Sequence, residues 1–324
     1  MKRKYMIIVL MAGALELTGC SQGTSNSAKN GTTGSENTII SESDIAILDT
    51  EDMFTERDRD TEYDESECTA ISLSDEETKC DSDGVKMDGQ TVTITEGGTY
   101  LLTGSLSNGS VVVDTDKTEK VQLILENVSI INEEGAGICV EQADKVFITL
   151  ADGSTNKIVS NSFAGNEDTN IDGAIFSRED LTLNGSGTLK ITSAAHGIVS
   201  KDDLVLTGGV YQIQSEKQGL SGKESVRIAD GTFTITSGTD AIHSEDTDED
   251  TKGFVYITGG VLTLAAGGDG ISSSYVVQAD GGSFDISTSS TETDTSTKGI
   301  KAQKYVILKD GTYQLATADD GIHC

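Results

Sequence analysis

The chain has no tryptophan and no proline, and aromatic residues make up only 5% of its 324 residues. Basic residues are also scarce, since 23 Lys and Arg stand against 54 Asp and Glu, which gives a net charge of −31. Such a charge repels phosphate backbones, so we expect no nucleic-acid partner. The lack of tryptophan argues against a flat aromatic platform for crystalline cellulose. The abundant glycine, serine and threonine favour repetitive β-structure with tight turns over a helical fold.

Residues 1–20 have the pattern of a lipoprotein signal peptide, with a basic start, an apolar run and a small-residue ending. The ending Leu17-Thr18-Gly19-Cys20 matches a bacterial lipobox, in which the cysteine thiol is acylated after cleavage. The alternative is an uncleaved membrane anchor. No later segment approaches the ~20 apolar residues of a membrane helix. We therefore expect the protein to lie on the extracellular face of the cell membrane, held by a lipid on Cys20.

Residues 21–82 are polar and acidic, with too few apolar residues to form a core. We expect them to be a disordered, Ser/Thr-rich tether between the lipid and a folded domain. Cys68 and Cys80 lie near the end of this segment, and in an exported protein they could form a local disulfide. The sequence alone leaves their pairing open.

From residue 83 onward the chain repeats a unit in which a small residue precedes an Ile or Leu. Successive Ile or Leu positions are 23, 22, 22, 29, 29 and 22 residues apart, which gives a period of 22 with two seven-residue insertions. Each period carries two further strand-like runs separated by Gly-rich turns. The repeat positions are Ile175, Ile198, Leu220, Ile242, Ile271, Ile300 and Ile322.

Three short strands per period, without helices, predict an all-β chain that forms a right-handed parallel β-helix over residues 83–324. A β-propeller needs about 40 residues and four strands per blade, so we reject it. We expect a monomer. The chain stops at Cys324, at the start of a new repeat and without a cap, so we expect a longer natural protein. We also expect five strand tyrosines to face outward, where they could stack on sugar rings: Tyr211, Tyr256, Tyr275, Tyr305 and Tyr313.

Acidic residues recur at equivalent positions of the repeat. Neighbouring coils of a β-helix lie ~4.8 Å apart, so equivalent residues form vertical ladders. Two carboxylates at this spacing repel by about 1 kcal/mol in water and by roughly 3–4 kcal/mol at an effective dielectric of 20. A partly buried ladder therefore requires a cation, and clustered oxygen ligands suit Ca²⁺. The predicted ligands are Glu179, Asp180, Asp202, Asp203, Glu224 and Asp246 in a first ladder, and Asp240 and Asp269 in a second.

One of the two insertions contains Asp246-x-Asp248-x-Asp250, a spacing that resembles the start of a calcium loop. It lacks the glycine and the distal glutamate of an EF-hand, which excludes that motif. For any single residue the alternative is a solvated acidic loop. We predict that Asp248 and Asp250 belong, with the first ladder, to a calcium site.

Lys201 and Lys223 lie one coil apart beside the first ladder. They could compensate the charge of the acidic residues, hold anionic sugars, or act as a catalytic base. The three histidines lie 22 or more residues apart, and no G-x-S-x-G nucleophile elbow occurs. Neither a zinc site nor a serine hydrolase is therefore expected.

Three stretches carry a resemblance to a known family: "GAIFSREDLTLNGSGTLKITSAAHGIVSKDDLVLTGG", "DAIHSEDTDEDTKGFVYITGG" and "GGDGI". They resemble the calcium-binding, carbohydrate-binding β-helix family of bacterial cell-surface lipoproteins, from about Gly89 to the end of the chain. The resemblance implies a pectate-lyase-like fold, Ca²⁺ as cofactor, and polygalacturonate or cellulose as partner. The family pattern has Asp-Gly-Ile followed by Arg-Gly-Lys-Asp where this chain has Gln218-Gly-Leu-Ser-Gly-Lys-Glu224.

These observations lead to three functional hypotheses. The leading one is a lipid-anchored protein that binds plant cell-wall polysaccharide, acidic pectin-type or cellulose, with calcium and through Lys201 and Lys223. It has no catalytic residue. The second is a calcium-dependent pectate lyase in which Lys201 removes the proton beside a uronate carboxylate. The third is a structural spacer or adhesin.

Overall fold

The computed structural model describes residues 48–164, 169–289 and 296–324, together with two short strands near the N-terminus. They form a parallel β-solenoid of about nine turns with almost no helix, which confirms the predicted all-β fold. The strands lie on three faces, which we call A, B and C. Faces A and B are joined by the long strand β6 (Gly98–Leu106) into one 20-stranded sheet, and face C is a separate sheet of 11 strands.

From β3 onward the strands of each face follow one another in chain order, while β1 and β2 lie beside the last turn. Face A contains β1 (Ile8–Val9), β3 (Thr69–Leu73), part of β6, β8 (Lys120–Leu125), β11 (Lys145–Leu150), β14 (Asp180–Gly185), β17 (Asp203–Leu206), β20 (Ser225–Ile228), β23 (Phe254–Ile257), β26 (Val276–Ala279) and β29 (Tyr305–Leu308). Face B contains β2 (Leu15–Leu17), the end of β6, β9 (Ser129–Asn132), β12 (Thr155–Ser160), β15 (Thr188–Ser193), β18 (Val210–Ser215), β21 (Thr232–Ser237), β24 (Val261–Ala266), β27 (Ser283–Thr288) and β30 (Thr312–Ala316). Face C contains β4 (Val85–Asp88), β5 (Thr91–Ile94), β7 (Ser110–Asp114), β10 (Ile138–Gln142), β13 (Gly173–Ser177), β16 (His196–Ser200), β19 (Leu220–Gly222), β22 (Ile242–Ser244), β25 (Ile271–Ser273), β28 (Ile300–Ala302) and β31 (Ile322–His323).

The strand register confirms the predicted repeat. On face C, Ile175 pairs with Ile198 and Ile198 with Leu220, and the series continues through every repeat position to Ile322. These side chains are buried from Ile175 to Ile300 and form one continuous core along the solenoid axis. The first seven-residue insertion lies between β22 and β23, outside the core, and the second falls between β27 and β28, where residues 290–295 are outside the described residues.

The prediction of outward tyrosines is wrong for Tyr211 and Tyr313. Both are buried in the core, where Tyr211 stacks on Phe233 with ring centroids 4.8 Å apart and Tyr313 stacks on Phe284 at 4.7 Å. The period-two alternation of a strand explains this, because Tyr211 lies two residues before the inward Ile213 and therefore shares its side of the strand.

The turns between faces A and B are tight and depend on glycine. At Gly185 the backbone has φ +97°, and a Cβ atom added there would lie 2.2 Å from the carbonyl oxygen of Leu150 on the preceding turn. Any larger residue at this position would both strain the backbone and separate two turns. Glycine at this point of the repeat therefore allows the turns to stack closely.

Residues 48–60, which we call the strap, correct the predicted tether. They lie across the outer side of face A and include the single helical turn α1 (Glu56–Arg59). Thr55 and Asp58 form a capping box, and Asp58 is only 1% exposed. After the strap, β3 pairs with β6, so residues 48–82 are part of the folded domain. The contacts of the strap are mainly polar, so the low apolar content of this segment does not reveal that it is folded.

The other N-terminal predictions fall mostly outside the described residues. These are Cys20, the rest of the signal segment apart from β1 and β2, and residues 21–47 of the predicted tether. The strands β1 and β2 pair in parallel with β29 and β30 on the last turn. Cys68 and Cys80 are free thiols, with no disulfide between them. In the part of the chain that is described, no helix is long and apolar enough to cross a membrane.

Candidate functional site

A groove of about 420 Å³ lies on the outer side of face C, over the turns that contain β16, β19 and β22. Because side chains alternate along a strand, the residue after each inward Ile or Leu points outward, and these residues stack on adjacent turns as Val199, Ser221 and His243. The groove is lined by Asp172, His196, Val199, Ser200, Lys201, Gln218, Ser221, Gly222, Lys223, His243 and Glu245.

Both lysines predicted to contact sugar lie in this groove. The Nζ atom of Lys201 lies 3.5 Å from Oδ1 of Asp172 and 5.3 Å from the centre of the Phe176 ring. The Nζ atom of Lys223 donates a hydrogen bond of 2.9 Å to Oδ2 of Asp248, and this bond raises the pKa of Lys223. The side chains of Lys201 and Lys223 are 38% and 42% exposed, so a ligand in the groove can reach both amines.

His196 is a neutral hydrogen-bonding group at one end of the groove. Burial lowers the pKa of His196 to about 4, despite the nearby charge of Asp172. Its Nδ1 atom accepts a hydrogen bond of 3.2 Å from the backbone N–H of Gln218, and its Nε2 atom lies 3.4 Å from Oδ2 of Asp172. The ring hydrogen is therefore on Nε2. Among the described residues, none donates a hydrogen bond to the buried Oδ1 atom of Asp172.

His243 presents an acceptor to the groove. Its Nδ1 atom lies 3.1 Å from Oδ2 of Asp240 and 2.7 Å from Oγ of Ser272, and Ser272 donates to the same carboxylate oxygen at 2.6 Å. This network favours the hydrogen on Nδ1 and leaves the Nε2 lone pair toward the groove, where Oε2 of Glu245 lies 3.6 Å away. Ser272 and Asp240 contact the same ring nitrogen, so the three residues do not form a nucleophilic triad, which needs both nitrogens.

Beside the groove, the turns between faces C and A crowd several carboxylates of the first predicted ladder. Burial raises the pKa of Asp202 to about 7, and the charges of Asp180, Glu224 and Asp203 add to the effect. Burial and the charge of Asp203 also raise the pKa of Asp180. The hydrogen bond between Asp202 and Glu224 raises the pKa of Asp202 further. Stacking therefore brings these predicted residues together as expected.

Basic residues already neutralise part of this cluster. Arg227 forms an ion pair with Asp203, and Ser225 donates a hydrogen bond of 2.5 Å to the same carboxylate. Lys252 forms an ion pair with Glu224. Among the described residues of this region, Glu179, Asp180 and Asp202 form no ion pair with a basic side chain, and Asp202 has the most strongly raised pKa.

The second predicted ladder has other partners. Oδ1 of Asp240 accepts a hydrogen bond of 2.7 Å from the backbone N–H of Asp269, and its Oδ2 atom is held by His243 and Ser272. Asp269 accepts from the backbone N–H of Lys298 at 2.8 Å and forms a 2.9 Å ion pair with Lys301. These carboxylates hold loops and side chains in place.

The predicted calcium loop is also closed by internal bonds. Oδ1 of Asp246 accepts hydrogen bonds of 2.7 and 3.0 Å from the backbone N–H groups of Asp248 and Glu249. Asp248 pairs with Lys223, and Asp250 is exposed. Over residues 48–164, 169–289 and 296–324, no three His, Cys, Asp or Glu side chains are gathered tightly enough to hold a metal ion.

The sequence reasoning missed Asp172, His196 and His243 as groove residues. His243 follows the inward Ile242 and stacks beside Ser221, so the register together with its residue type could have indicated a surface site. His196 lies two residues before the inward Ile198, so alternation alone does not predict its place in the groove. Asp172 lies in the longer connection between β12 and β13, where no repeat position predicts its place.

Residues 88–324 match the family model described as "Carbohydrate-binding domain-containing protein". A protein of the same description from Acetivibrio thermocellus is 34% identical over 137 residues, which are 41% of this chain and 48% of the relative. The chain thus spans about half the length of that relative.

A solved structure shows the same fold. The "polysaccharide lyase-like protein" from C. thermocellum, determined as a gadolinium derivative, superposes with a TM-score of 0.63 at 30% sequence identity. The match covers 79% of this chain and 99% of the solved one. Because the family model covers well over half of the sequence, this chain belongs to the family of carbohydrate-binding domain-containing proteins.

Proposed function

We propose that the protein binds polysaccharide in the groove of face C and prefers acidic, polygalacturonate-type chains to cellulose. The observation that carries the proposal is the position of Lys201 and Lys223 on adjacent turns, with both amines accessible in one groove. Two ammonium groups in a row suit a polymer with a carboxylate on each sugar. Membership of a carbohydrate-binding family supports a polysaccharide ligand.

The hydrogen-bonding groups of the groove suit the hydroxyls of the same polymer. Nε2 of His243 can accept a hydrogen bond, and the side chain of Gln218 can both donate and accept. No described aromatic side chain is fully exposed, so the flat stacking surface that a cellulose crystal requires is not part of the described surface. This combination of cations and hydrogen-bonding groups favours an acidic chain.

We further propose that Ca²⁺ binds at Asp202, together with Asp180 and Glu224. These residues offer only oxygen donors, which fits the chemistry of Ca²⁺, although the carboxylates must draw closer to share an ion. A cation there would offset the burial and the neighbouring negative charges that raise the pKa of Asp202. The solved relative is a gadolinium derivative, and Gd³⁺ also prefers oxygen ligands. When bound, Ca²⁺ would bridge the acidic protein to the carboxylates of the polymer.

The proposed place of action is the extracellular face of the cell membrane, where a lipid on Cys20 would hold a monomeric protein. The signal pattern of residues 1–20 supports this placement. A surface position would give the groove access to insoluble plant polysaccharide.

The proposal predicts the effect of removing the two amines. Lys201→Ala and Lys223→Ala should each weaken binding to polygalacturonate about 2- to 5-fold, since a partly exposed ion pair contributes about 0.5–1 kcal/mol. Affinity electrophoresis or calorimetry in 1 mM Ca²⁺ measures the change. Lys190→Ala, on the exposed side of face B, is the matched control and should bind as the natural protein does. Unchanged binding by the Lys201→Ala, Lys223→Ala double variant would place the ligand elsewhere.

A pectate lyase is the second candidate, because Lys201 directly precedes Asp202 and lies in the groove. In that reaction Lys201 would take the proton beside the uronate carboxylate, and the bond to the next sugar would break. The ultraviolet absorbance of unsaturated products distinguishes the two functions. We expect bound polymer to keep its length. Product formation that disappears in Lys201→Ala would establish the lyase instead.

A further inference from the structure

The strap contacts six neighbouring strands of face A. Phe54 stacks on Tyr256 of β23 with ring centroids 5.9 Å apart, and the carbonyl oxygen of Met53 accepts a 3.0 Å hydrogen bond from Arg227 of β20. At the other end, Arg57 donates at 2.8 Å to Gln122 of β8. With turns ~4.8 Å apart, the strap spans about 24 Å along the solenoid.

Asp58 holds the centre of the strap to three further strands. Its carboxylate forms a 2.8 Å ion pair with Lys145 of β11 and accepts a 2.7 Å hydrogen bond from Thr182 of β14. Its carbonyl oxygen accepts from Asn184 at 3.1 Å and from Thr207, just after β17, at 2.7 Å. Although burial opposes ionisation, the bonds that Lys145, Thr182 and Thr55 donate to the carboxylate lower the pKa of Asp58 to about 2, so the carboxylate stays charged.

The first strand of the solenoid has no such support. β3 pairs in parallel only with β6, and its other edge has a single bridge between Ser72 and Lys79. In a solenoid each turn contacts only its neighbours, so an end turn can detach alone and the next turn then becomes the end. Tension applied directly to β3 would therefore remove turns one at a time.

We propose that the strap is a clamp that carries tension from the N-terminal segment into the middle turns of the solenoid and protects the first turn from peeling. The inference rests on the proposed N-terminal anchoring, which makes that segment the point where load enters while the groove holds polymer. Under such load the force is shared by all the strap contacts, because all of them must break before β3 is pulled. These contacts lie on β8, β11, β14, β17, β20 and β23.

Optical tweezers can test this by changing only the point of attachment. One handle is inserted after residue 47, before the strap, or after residue 64, beyond it, and the second handle is at the C-terminus of the full chain. Attachment after residue 47 should give a high first rupture force. Attachment after residue 64 should give a lower force and single-turn steps of roughly 80–130 Å at ~3.6 Å per residue. Paired residues of the first four turns are 31, 23, 25 and 35 positions apart. Equal forces and steps from both attachment points would overturn the proposal.

A pair of variants provides the second test, with the handle after residue 47. Asp58→Ala should lower the first rupture force and produce single-turn steps, while Asp64→Ala should change neither. Asp64 is exposed, carries the same charge, and its side chain bonds only to nearby Ser66. Circular dichroism first establishes that both variants are folded; if Asp58→Ala is not, Arg57→Ala replaces it. A rupture force unchanged by loss of the strap contacts would contradict the clamp. Neither test involves polysaccharide, so a failure here leaves the proposed groove unaffected.

Discussion

Replacing Asp202 by asparagine should stabilise the protein, and only at neutral to alkaline pH. The pKa of Asp202 is raised to about 7 in the folded protein by burial and by the charges of Asp180, Glu224 and Asp203. In the unfolded chain an aspartate titrates near 3.9. Between these two pH values the folded state binds more protons, so stability falls as pH rises through this window.

The size of the effect follows from the same shift. A fully buried carboxyl moved from its ordinary value to about 7 would cost about 4 kcal/mol at 1.36 kcal/mol per pH unit. Asp202 is partly exposed, and solvent screens its neighbours, so we expect about 1–2 kcal/mol. Asp202→Asn keeps the shape of the side chain and removes the charge. It should therefore raise the free energy of unfolding by about 1–2 kcal/mol at pH 8 and change it little at pH 5.

Urea denaturation at pH 5 and pH 8 is the assay, with thermal melting as support at about 2–4 °C per kcal/mol. Asp203→Asn is the control, because Asp203 is paired with Arg227 and its loss should destabilise the protein. Millimolar Ca²⁺ should stabilise the natural protein at pH 8 more than at pH 5, since protons compete for the same oxygens. Destabilisation by Asp202→Asn at pH 8, or equal effects at both pH values, would refute the reasoning.

Two further predictions concern the solenoid. Gly185→Ala should lower the free energy of unfolding by at least about 2 kcal/mol, because the added Cβ atom would clash with the carbonyl oxygen of Leu150. Gly153 has φ +65° but open space around it, so Gly153→Ala should lower the free energy of unfolding by only about 1 kcal/mol. Chemical denaturation compares the two. Ile198→Asp should unfold the neighbouring turns, since it buries an unpaired charge, while Gln212→Asp, on an outward position, should be tolerated. A folded, protease-resistant Ile198→Asp variant would mean that the inward position is misassigned.

The sequence predicted the solenoid because its signal repeats. Ile198, Leu220 and Ile242 are separated by a constant 22 residues, and only parallel stacking gives every such residue the same buried environment. The same register also predicted that Lys201 and Lys223 would lie on adjacent turns and that Asp202 and Glu224 would be neighbours. The repeat therefore predicts which residues lie on adjacent turns.

Contacts that depend on residues outside the repeat could not be predicted in this way. Asp240 occupies a ladder position, but its partners His243 and Ser272 depend on side-chain rotamers and on a second turn. The acidic, apolar-poor composition of the segment that contains the strap predicts disorder. The folded strap depends on the ion pair between Asp58 and Lys145, which is 87 positions further along the chain. The local sequence indicates the strap only through the Thr55-x-x-Asp58 spacing of a capping box.

The central claim is that an acidic polysaccharide lies in the groove of face C. A crystal structure of the protein with a short oligogalacturonate and Ca²⁺ tests it most directly, because it locates the sugar without relying on a mutation. The account predicts sugar carboxylates within about 3 Å of Nζ of Lys201 and Lys223, and sugar hydroxyls at Gln218 and His243. Ordered sugar on face A or face B, with the groove of face C empty, would contradict it.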